Sequence, residues 1–377
     1  MPWKEATTMS ERSAFIEQAK QEGANLSALC KAYGISRVTG YKWLRRYAEA
    51  GEQGLGDRTR RPHRSPSRTA DKVESAILEV RSDHPSWGGV KILAYLKRKG
   101  WQDLPSASTA TAILQRNGKM DPQEACKHRP MQRFEWAAPN DLWQMDFKGH
   151  FRLEQGHCHP LTVLDDHSRF LLGLYACPNE VWQTVQAQLT QVFRQYGLPN
   201  RMLMDNGSPW GDDRQSPHTI LTAWLMRLDV AVSHGRPYHP QTQGKDERLH
   251  RTFQAELLDQ VSLQSLPDCQ AQFDRWRSFY NNERPHQALG QAVPAERYQA
   301  SSRPFPEILP PIVYNPDDIV RMVDLSGKIS YHSRSFRISK AFRYSPVALR
   351  QTEVDGVFDV FFCRFQVAQI SLREHNC

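Results

Sequence analysis

The spacing of hydrophobic residues divides the chain into three regions with different predicted structures. Up to about residue 120, apolar side chains recur at the spacing of amphipathic helices. From residue 141 to about 235, short apolar runs typical of buried strands alternate with longer helical stretches. After about residue 312, apolar and polar residues alternate in short runs separated by turns, which predicts antiparallel strands. We therefore predict helical domains, then a mixed α/β core, then a small all-β domain.

Residues 1–56 show the pattern of a helix-turn-helix domain. A first helix is followed by a shorter second helix that ends at Gly34. A third helix begins after Ser36, a good N-cap residue. The buried stripe of this third helix is predicted to contain Val38, Tyr41 and Leu44. The outward side chains expected to contact DNA are Arg37, Thr39, Lys42, Arg45 and Arg46. The last helix of such a domain lies in the major groove, although any small three-helix bundle would show a similar pattern.

Residues 57–69 are predicted to form a basic linker. The stretch "DRTRRPHRSPSR" has five arginines between positions 58 and 68 and almost nothing to bury. Its prolines, Pro62 and Pro66, oppose helix formation. The residues expected to contact DNA phosphates are Arg58, Arg60, Arg61 and Arg64, the alternative being a solvated tether.

Residues 70–122 are predicted to form a second helical domain, similar to a helix-turn-helix. Its three predicted helices are "DKVESAILEVRSDHP", "GGVKILAYLKRKG" and "SASTATAILQRNG". The third helix has a serine or threonine available as its N-cap.

Residues 136–300 are predicted to form a mixed sheet covered by helices. Three strands are followed by a helix, a strand, a second helix, another strand and the helix that begins near residue 244. A proline-rich segment then leads to residues 312–373, where six short runs predict a small barrel of antiparallel strands.

Composition favours a polyanionic partner. The 377 residues include 49 Lys and Arg against 41 Asp and Glu, giving a net charge of +8 and a pI near 9.1. Seven scattered cysteines without a CxxC pair are typical of a reduced cytosolic protein. No apolar run is long enough to span a membrane. The triplet His157, Cys158 and His159 is not predicted to bind metal, because adjacent residues of a strand point to opposite faces.

Three acids lie at comparable places in the predicted core. Asp146 is inside an apolar strand, Asp205 follows another strand and precedes an Asn-Gly turn, and Glu247 is in the first turn of a helix. An unpaired acid in a buried strand costs several kcal/mol, and a divalent cation is a natural partner.

The helix that carries Glu247 is predicted to be amphipathic. At about 100° per residue, Arg251 and Gln254 share the polar face with Glu247. The opposite face, expected to pack on the sheet, carries Leu249, Phe253 and Leu257. We expect Lys245, Arg248 and Arg251 to contact DNA phosphates, the alternative being solvated surface charge.

Four motifs in order resemble those of bacterial insertion-sequence transposases of the DDE integrase superfamily. They are "WQMDFKG", "DNGSPW", "PYHPQTQGKDERLHRTFQ" and "FYNNERPHQALGQAVPAERY". The resemblance implies an RNase H-like fold and two magnesium ions, with manganese as a substitute, held by Asp146, Asp205 and Glu247. It also implies cleavage of the element ends, strand transfer into target DNA, and a homodimer or larger assembly. The expected location is the bacterial cytoplasm, at the nucleoid.

The chain departs from this pattern in one spacing. Asp205 and Glu247 lie 42 positions apart, wider than in the commonest members, and the insertion contains Asp212 and Asp213. We prefer Asp205 as the second acid, because it follows a strand whereas the inserted pair is in a polar loop. The pair Asp165 and Asp166 is expected to form a turn between strands. The sequence assigns no chemical role to Asn281 and Asn282.

Two other functions fit parts of the sequence. A DNA-binding regulator would account for the helix-turn-helix and the positive charge but not for the acids. A nuclease of similar fold would cut DNA without joining it.

Overall fold

A computed structural model describes residues 8–57, 68–120, 135–211, 217–235 and 244–373. Contacts divide the chain into two compact units, Met1–Arg68 and Thr69–Cys377. In the described part of the chain, no helix is both long and apolar enough to cross a membrane. Arg58, Arg60, Arg61 and Arg64 of the predicted linker, and Asp212 and Asp213 of the insertion, lie outside the described residues.

The first unit contains the three predicted helices. They are α1 (Thr8–Ala19), α2 (Leu26–Ala32) and α3 (Arg37–Ala50). Ser36 is the N-cap of α3, as predicted, and its hydroxyl accepts a hydrogen bond from the Thr39 N–H at 3.2 Å.

The predicted buried stripe of α3 was wrong for Val38 and Tyr41, whereas Leu44 is half-buried and packs against the core of this unit, as predicted. Val38 and Tyr41 are 79% and 61% exposed, whereas Gly40 and Trp43 are buried. Gly40 lets α3 approach its neighbours closely, since a Cβ there would lie 2.6 Å from the sulfur of Cys30. The close contact at Gly40 therefore decides which face of α3 is buried. A prediction from the spacing of apolar side chains misses such a contact, because glycine has no side chain.

The second unit begins with three further helices, as predicted. They are α4 (Asp71–Asp83), α5 (Gly89–Arg98) and α6 (Ala107–Arg116). Ser106 caps α6, and Trp87, between α4 and α5, is fully buried. The Trp87 ring stacks with Phe279 of the core at a centroid distance of 5.9 Å, so this helical domain packs directly on the α/β core.

The core contains the predicted mixed sheet. Its strands are β1 (Trp143–Phe147), β2 (Phe151–Arg152), β3 (His157–Asp165), β4 (Leu171–Cys177), β5 (Arg201–Met204) and β6 (Ala231–His234). The order is β2-β3-β1-β5-β6, with β4 also paired to β3. The pairs β1–β3 and β3–β4 are antiparallel, whereas β1–β5 and β5–β6 are parallel.

Helices and buried side chains cover the sheet. The helices are α7 (Trp182–Tyr196), α8 (Ile220–Arg227), α9 (Gly244–Phe253) and α10 (Leu266–Asn282). One hydrophobic cluster joins α7 and α8 to β1, β3 and β5, and another joins α9 and α10 to β3 and β4. Leu249, Phe253 and Leu257 are buried in the second cluster, as the amphipathic pattern predicted.

The C-terminal region is the predicted small β domain. Its strands are β7 (Ile319–Met322), β8 (Lys328–Tyr331), β9 (Arg334–Arg337), β10 (Pro346–Gln351), β11 (Val357–Phe362) and β12 (Phe365–Ser371). They form one sheet in the order β12-β11-β10-β7 and a separate β8–β9 hairpin over a shared core. Closure into a single barrel is therefore not seen in the described strands.

Candidate active site

Parallel pairing of β1 and β5 brings two of the predicted acids to the same edge of the sheet. Trp143 pairs with Met202, and Gln144 with Leu203. The same register, continued by two residues, brings Asp205 beside Asp146. Asp146 is the fourth residue of β1, and Asp205 directly follows β5.

The electrostatics of Asp146 show that several carboxylates converge there. Burial, followed by the negative charge of Asp205, raises the pKa of Asp146 to about 7. Glu180 and Glu247 raise it further, whereas the Phe147 N–H opposes the rise. Burial also raises the pKa of Asp205, helped by Glu180 and opposed by the Gly207 N–H and His234. A site that concentrates carboxylates in this way attracts cations.

A tight turn after β5 holds Asp205. Its Oδ1 accepts a hydrogen bond from the Gly207 N–H at 3.0 Å. A Cβ at position 207 would lie 3.2 Å from the Asp205 Oδ2, so glycine leaves the carboxylate room. The backbone carbonyl of Asp205 accepts a hydrogen bond from Nδ1 of His234 on β6 at 2.9 Å. The turn and the neighbouring strand therefore both orient this acid.

Glu247 is exposed on the polar face of α9, and a hydrogen-bond chain links that helix to β1. Thr162 on β3 donates its hydroxyl proton to the Asp146 carbonyl at 3.0 Å. Nε2 of His250, one turn after Glu247, lies 3.0 Å from the same hydroxyl oxygen. Because the hydroxyl proton is already used, the His250 N–H must be the donor. Burial lowers the pKa of His250 to about 4, so the ring is neutral in this role. Neither His250 nor Thr162 stands out in the local sequence pattern.

A second group of charges lies behind Glu247. Lys245 forms an ion pair with Asp166 at 2.5 Å, and both side chains are largely buried. This internal pairing does not favour the predicted phosphate contact of Lys245. Asp246 is fully buried, and its pKa lies well above its usual range because of burial and the charges of Asp146 and Asp166. Burial therefore favours the protonated form of Asp246.

The structure gives Asp165 a local role. Its Oδ1 accepts hydrogen bonds from the backbone N–H of Ser168 at 2.7 Å and from the Ser168 hydroxyl at 2.6 Å. Its Oδ2 accepts the Asn140 N–H at 2.8 Å. Asp165 thus holds the turn between β3 and β4, as expected from the sequence.

The motif "YNNERPH" attaches α10 to its surroundings. Arg284 donates hydrogen bonds to both carboxylate oxygens of Glu256, the shortest at 2.8 Å, and both side chains are buried. Glu256 lies in a π-helical turn, Gln254–Leu258, that continues α9, and it also accepts a hydrogen bond from Trp87 Nε1 at 2.9 Å. Glu256 therefore joins three elements: the α9 extension, the end of α10 and the second helical domain.

The predicted DNA contacts differ in exposure. Arg37, Lys42 and Arg45 are exposed on α3, Thr39 and Arg46 are half-buried, and Arg248 and Arg251 are exposed on α9. Gln254 is half-buried and donates to Asp259 Oδ1 at 2.6 Å, at the end of the π-helical turn. The exposed face of α3 also includes Val38 and Tyr41, which the sequence analysis had placed in the core.

Family models match successive parts of the chain. Two models described as integrase core domain match residues 137–240 and 228–294. A helix-turn-helix domain matches residues 11–63, and a homeodomain-like domain matches residues 39–114. The IS481 family transposase C-terminal domain matches residues 318–377.

Two curated relatives match different lengths of the chain. The transposase for transposon Tn552 of Staphylococcus aureus is 25% identical over 358 residues, covering 85% of this chain and 72% of the relative. An uncharacterized 31.7 kDa protein of insertion element IS407 from Burkholderia multivorans is 24% identical, covering 42% of this chain and 56% of the relative.

Two solved structures show similarity at low sequence identity. One is the simian T-cell lymphotropic virus intasome in complex with PP2A regulatory subunit B56 gamma, with 16% identity and a TM-score of 0.39. It covers 79% of this chain and 96% of that one. The other is the HTLV-2 integrase catalytic core domain in complex with magnesium, with 15% identity and a TM-score of 0.33. It covers 43% of this chain and 98% of that one.

The integrase core domains, the IS481-type C-terminal domain and the similarity to the Tn552 transposase agree on one family. Together these matches support a DDE-type transposase, an enzyme of the polynucleotidyl transferase class.

Proposed function

We propose that this transposase cleaves DNA at the ends of an insertion sequence and transfers the freed strands into target DNA. Asp146, Asp205 and Glu247 are the proposed catalytic residues and metal ligands. The observation that carries the proposal is the parallel register of β1 and β5, which brings Asp205 beside Asp146. Burial first, and then the charges of Asp205, Glu180 and Glu247, raise the pKa of Asp146 to about 7. Their mutual repulsion is relieved when cations bind among them.

The donor set fits magnesium. Carboxylate oxygens are hard ligands of the kind that magnesium prefers, and Glu247 is exposed where substrate phosphates have access. Asp146, Asp205 and Glu247 would hold two magnesium ions, with manganese as a substitute. The bound ions would supply charge that stabilises the attacking and leaving oxygens of an in-line displacement.

The chain's own residues position these ligands. His250 and Thr162 hold α9 against the Asp146 backbone, and the Gly207 turn orients Asp205. In the first step, water attacks phosphorus at the element end and a 3′ hydroxyl is released. In the second, that hydroxyl attacks a target phosphodiester, so one P–O bond forms as another breaks.

The remaining regions are assigned to DNA. We propose that α3 reads the element ends in the major groove and that Arg248 and Arg251 contact phosphates beside the triad. The four linker arginines at positions 58, 60, 61 and 64 are proposed to contact phosphates as well. Holding two ends at once calls for a homodimer or larger assembly, acting at the nucleoid in the bacterial cytoplasm.

The test uses labelled duplexes made from the DNA that flanks the gene. Purified protein is compared with Glu247→Gln, with magnesium or with chelator, and Glu154→Gln serves as a control because Glu154 is an exposed glutamate outside the triad. We expect magnesium-dependent nicking at one phosphate and joined products, both lost only in Glu247→Gln.

Each other result points to a different protein function. Cleavage without joined products would indicate a nuclease, and tight binding without cleavage would indicate a regulator. Cleavage that survives in Glu247→Gln would remove Glu247 from the triad.

A further inference from the structure

Two histidines and a glutamate come together beside the proposed triad. Cys158 of β3 is buried in the core, so its strand neighbour His159 lies on the opposite face. His150, just before β2, stacks on His159 with a centroid distance of 5.1 Å. Glu180, between β4 and α7, places its Oε1 2.8 Å from Nδ1 of His159. One ligand atom from each of the three residues lies within 4.8 Å of the others.

We propose that His150, His159 and Glu180 form a binding site for a transition-metal dication of the zinc class, separate from the magnesium-binding carboxylates. Two imidazole nitrogens and one carboxylate oxygen are a ligand set that zinc favours and magnesium does not. Three protein ligands leave the fourth tetrahedral position open to water. The 2.8 Å contact between Nδ1 of His159 and Oε1 of Glu180 already brings two of the ligand atoms together.

The ligands need only a small rearrangement to bind zinc. Zinc lies about 2.0–2.2 Å from its nitrogen and oxygen ligands. The ligand atoms around one zinc ion are therefore closer to each other than the 4.8 Å within which these three atoms lie. His150 is exposed and precedes a two-residue strand, so its side chain is free to move inward. His159 and Glu180 are half-buried and already in contact, which makes them the fixed part of the site.

The position of Glu180 links this site to the triad. Its negative charge acts on both Asp146 and Asp205, so the two sites lie near each other.

The test measures zinc binding to the full chain by equilibrium dialysis in excess magnesium, with Co²⁺ absorption as a second probe. We expect each of three variants to bind one zinc ion fewer than the native chain: His159→Gln, His150→Gln and Glu180→Gln. Loss of a hydrogen-bond partner of a metal ligand weakens metal affinity by roughly 10–100-fold. Loss of the ligand itself should weaken zinc affinity by at least as much. Thermal melting of each variant checks that the fold is retained.

Two variants separate this site from the alternatives. His332→Gln removes an exposed histidine of the C-terminal domain and is expected to leave that zinc bound. Asp146→Asn disables the proposed triad and is also expected to leave it bound. Unchanged zinc binding in His159→Gln and Glu180→Gln, or its loss in Asp146→Asn, would overturn the proposal. Because zinc binding is read without DNA, its outcome is independent of whether the transposition reaction is observed.

Discussion

The side chain of Asn281 forms two hydrogen bonds with the backbone of Leu171. Its Oδ1 accepts the Leu171 N–H at 2.8 Å, and its Nδ2 donates to the Leu171 carbonyl at 3.0 Å. Gln270, about three turns earlier on α10, bonds in the same way to the Ala176 N–H and the Leu174 carbonyl. The helix thus satisfies backbone groups of β4 that a neighbouring strand would otherwise pair.

This arrangement predicts different effects for two adjacent asparagines. Asn281→Ala leaves a buried N–H and a buried carbonyl without partners, and should lower the free energy of unfolding by about 1–3 kcal/mol. Asn282 is exposed and donates to the Ser278 carbonyl one turn earlier on the same helix, so Asn282→Ala should change the free energy of unfolding by less than about 0.5 kcal/mol. Urea unfolding of both variants makes the comparison, and equal losses would contradict the assignment.

The buried pair of Arg284 and Glu256 predicts a larger loss. Arg284→Met removes the bidentate partner of the buried Glu256 carboxylate, leaving it only Lys91 at 4.0 Å and the Trp87 N–H among the contacts described, and should cost about 3–5 kcal/mol of stability. Arg275→Met is the matched control, because Arg275 is an exposed arginine on α10, the helix that ends just before Arg284. Chemical denaturation measures both, and a similar small effect in the two variants would show that the pair contributes little.

The same pair predicts a dependence on pH. Burial alone would raise the pKa of Glu256, but the hydrogen bonds and charge of Arg284 outweigh it and lower that pKa below 4.5. A depressed folded-state pKa stabilises the protein above pH 4.5, and this contribution disappears as the pH falls through the folded-state value. The stability difference between the native chain and a variant combining Glu256→Gln with Arg284→Met should therefore shrink in acid. A difference that is constant from pH 7 to below about pH 4 would contradict this reasoning.

Asp146 predicts the opposite dependence. Its pKa is raised from 3.8 to about 7, so between these values the folded protein holds a proton that the unfolded chain releases. Stability without metal should therefore fall as the pH rises through this window. Asp146→Asn should melt at a higher temperature than the native chain at pH 8, with a smaller difference at pH 5.

Magnesium supplies the second half of that test. It should raise the melting temperature of the native chain at pH 8 but have a much smaller effect on Asp146→Asn. Asp317→Asn, a change at an exposed aspartate of the C-terminal domain, should behave as the native chain does. If Asp146→Asn melts at a lower temperature than the native chain in metal-free buffer at pH 8, the charged Asp146 carboxylate does not destabilise the fold and the prediction is wrong.

The exposed face of α3 predicts two kinds of DNA-binding defect. Tyr41 and Val38 present apolar surface of the kind that contacts thymine methyl groups, so Tyr41→Ala should mainly reduce discrimination between element ends and unrelated DNA. Lys42→Ala should weaken binding to all sequences and reduce the salt slope by about 1. Titrations of both duplexes at several salt concentrations separate these effects. Equal losses on both duplexes for Tyr41→Ala would exclude base reading by this residue.

The sequence by itself determined the local elements and where the notable acids lie along them. The Ser36 cap, the helices of the second domain, the alternating strands and the buried face of α9 follow from preferences of residues close together in the chain. Local periodicity failed at α3, because the contact of Gly40 with Cys30 depends on a neighbouring helix. It also could not decide whether the C-terminal strands close into one barrel.

Only the tertiary structure decided which distant side chains meet. The register of β1 on β5, the chain from His250 through Thr162 to Asp146, and the pairing of Arg284 with Glu256 join residues that no local pattern connects. His159 shows the same limit: the alternation of strand residues correctly separates it from Cys158, but His150 and Glu180 reach it from other segments. Backbone preferences act over a few residues, whereas these contacts depend on sheet register and on helices packing against the sheet.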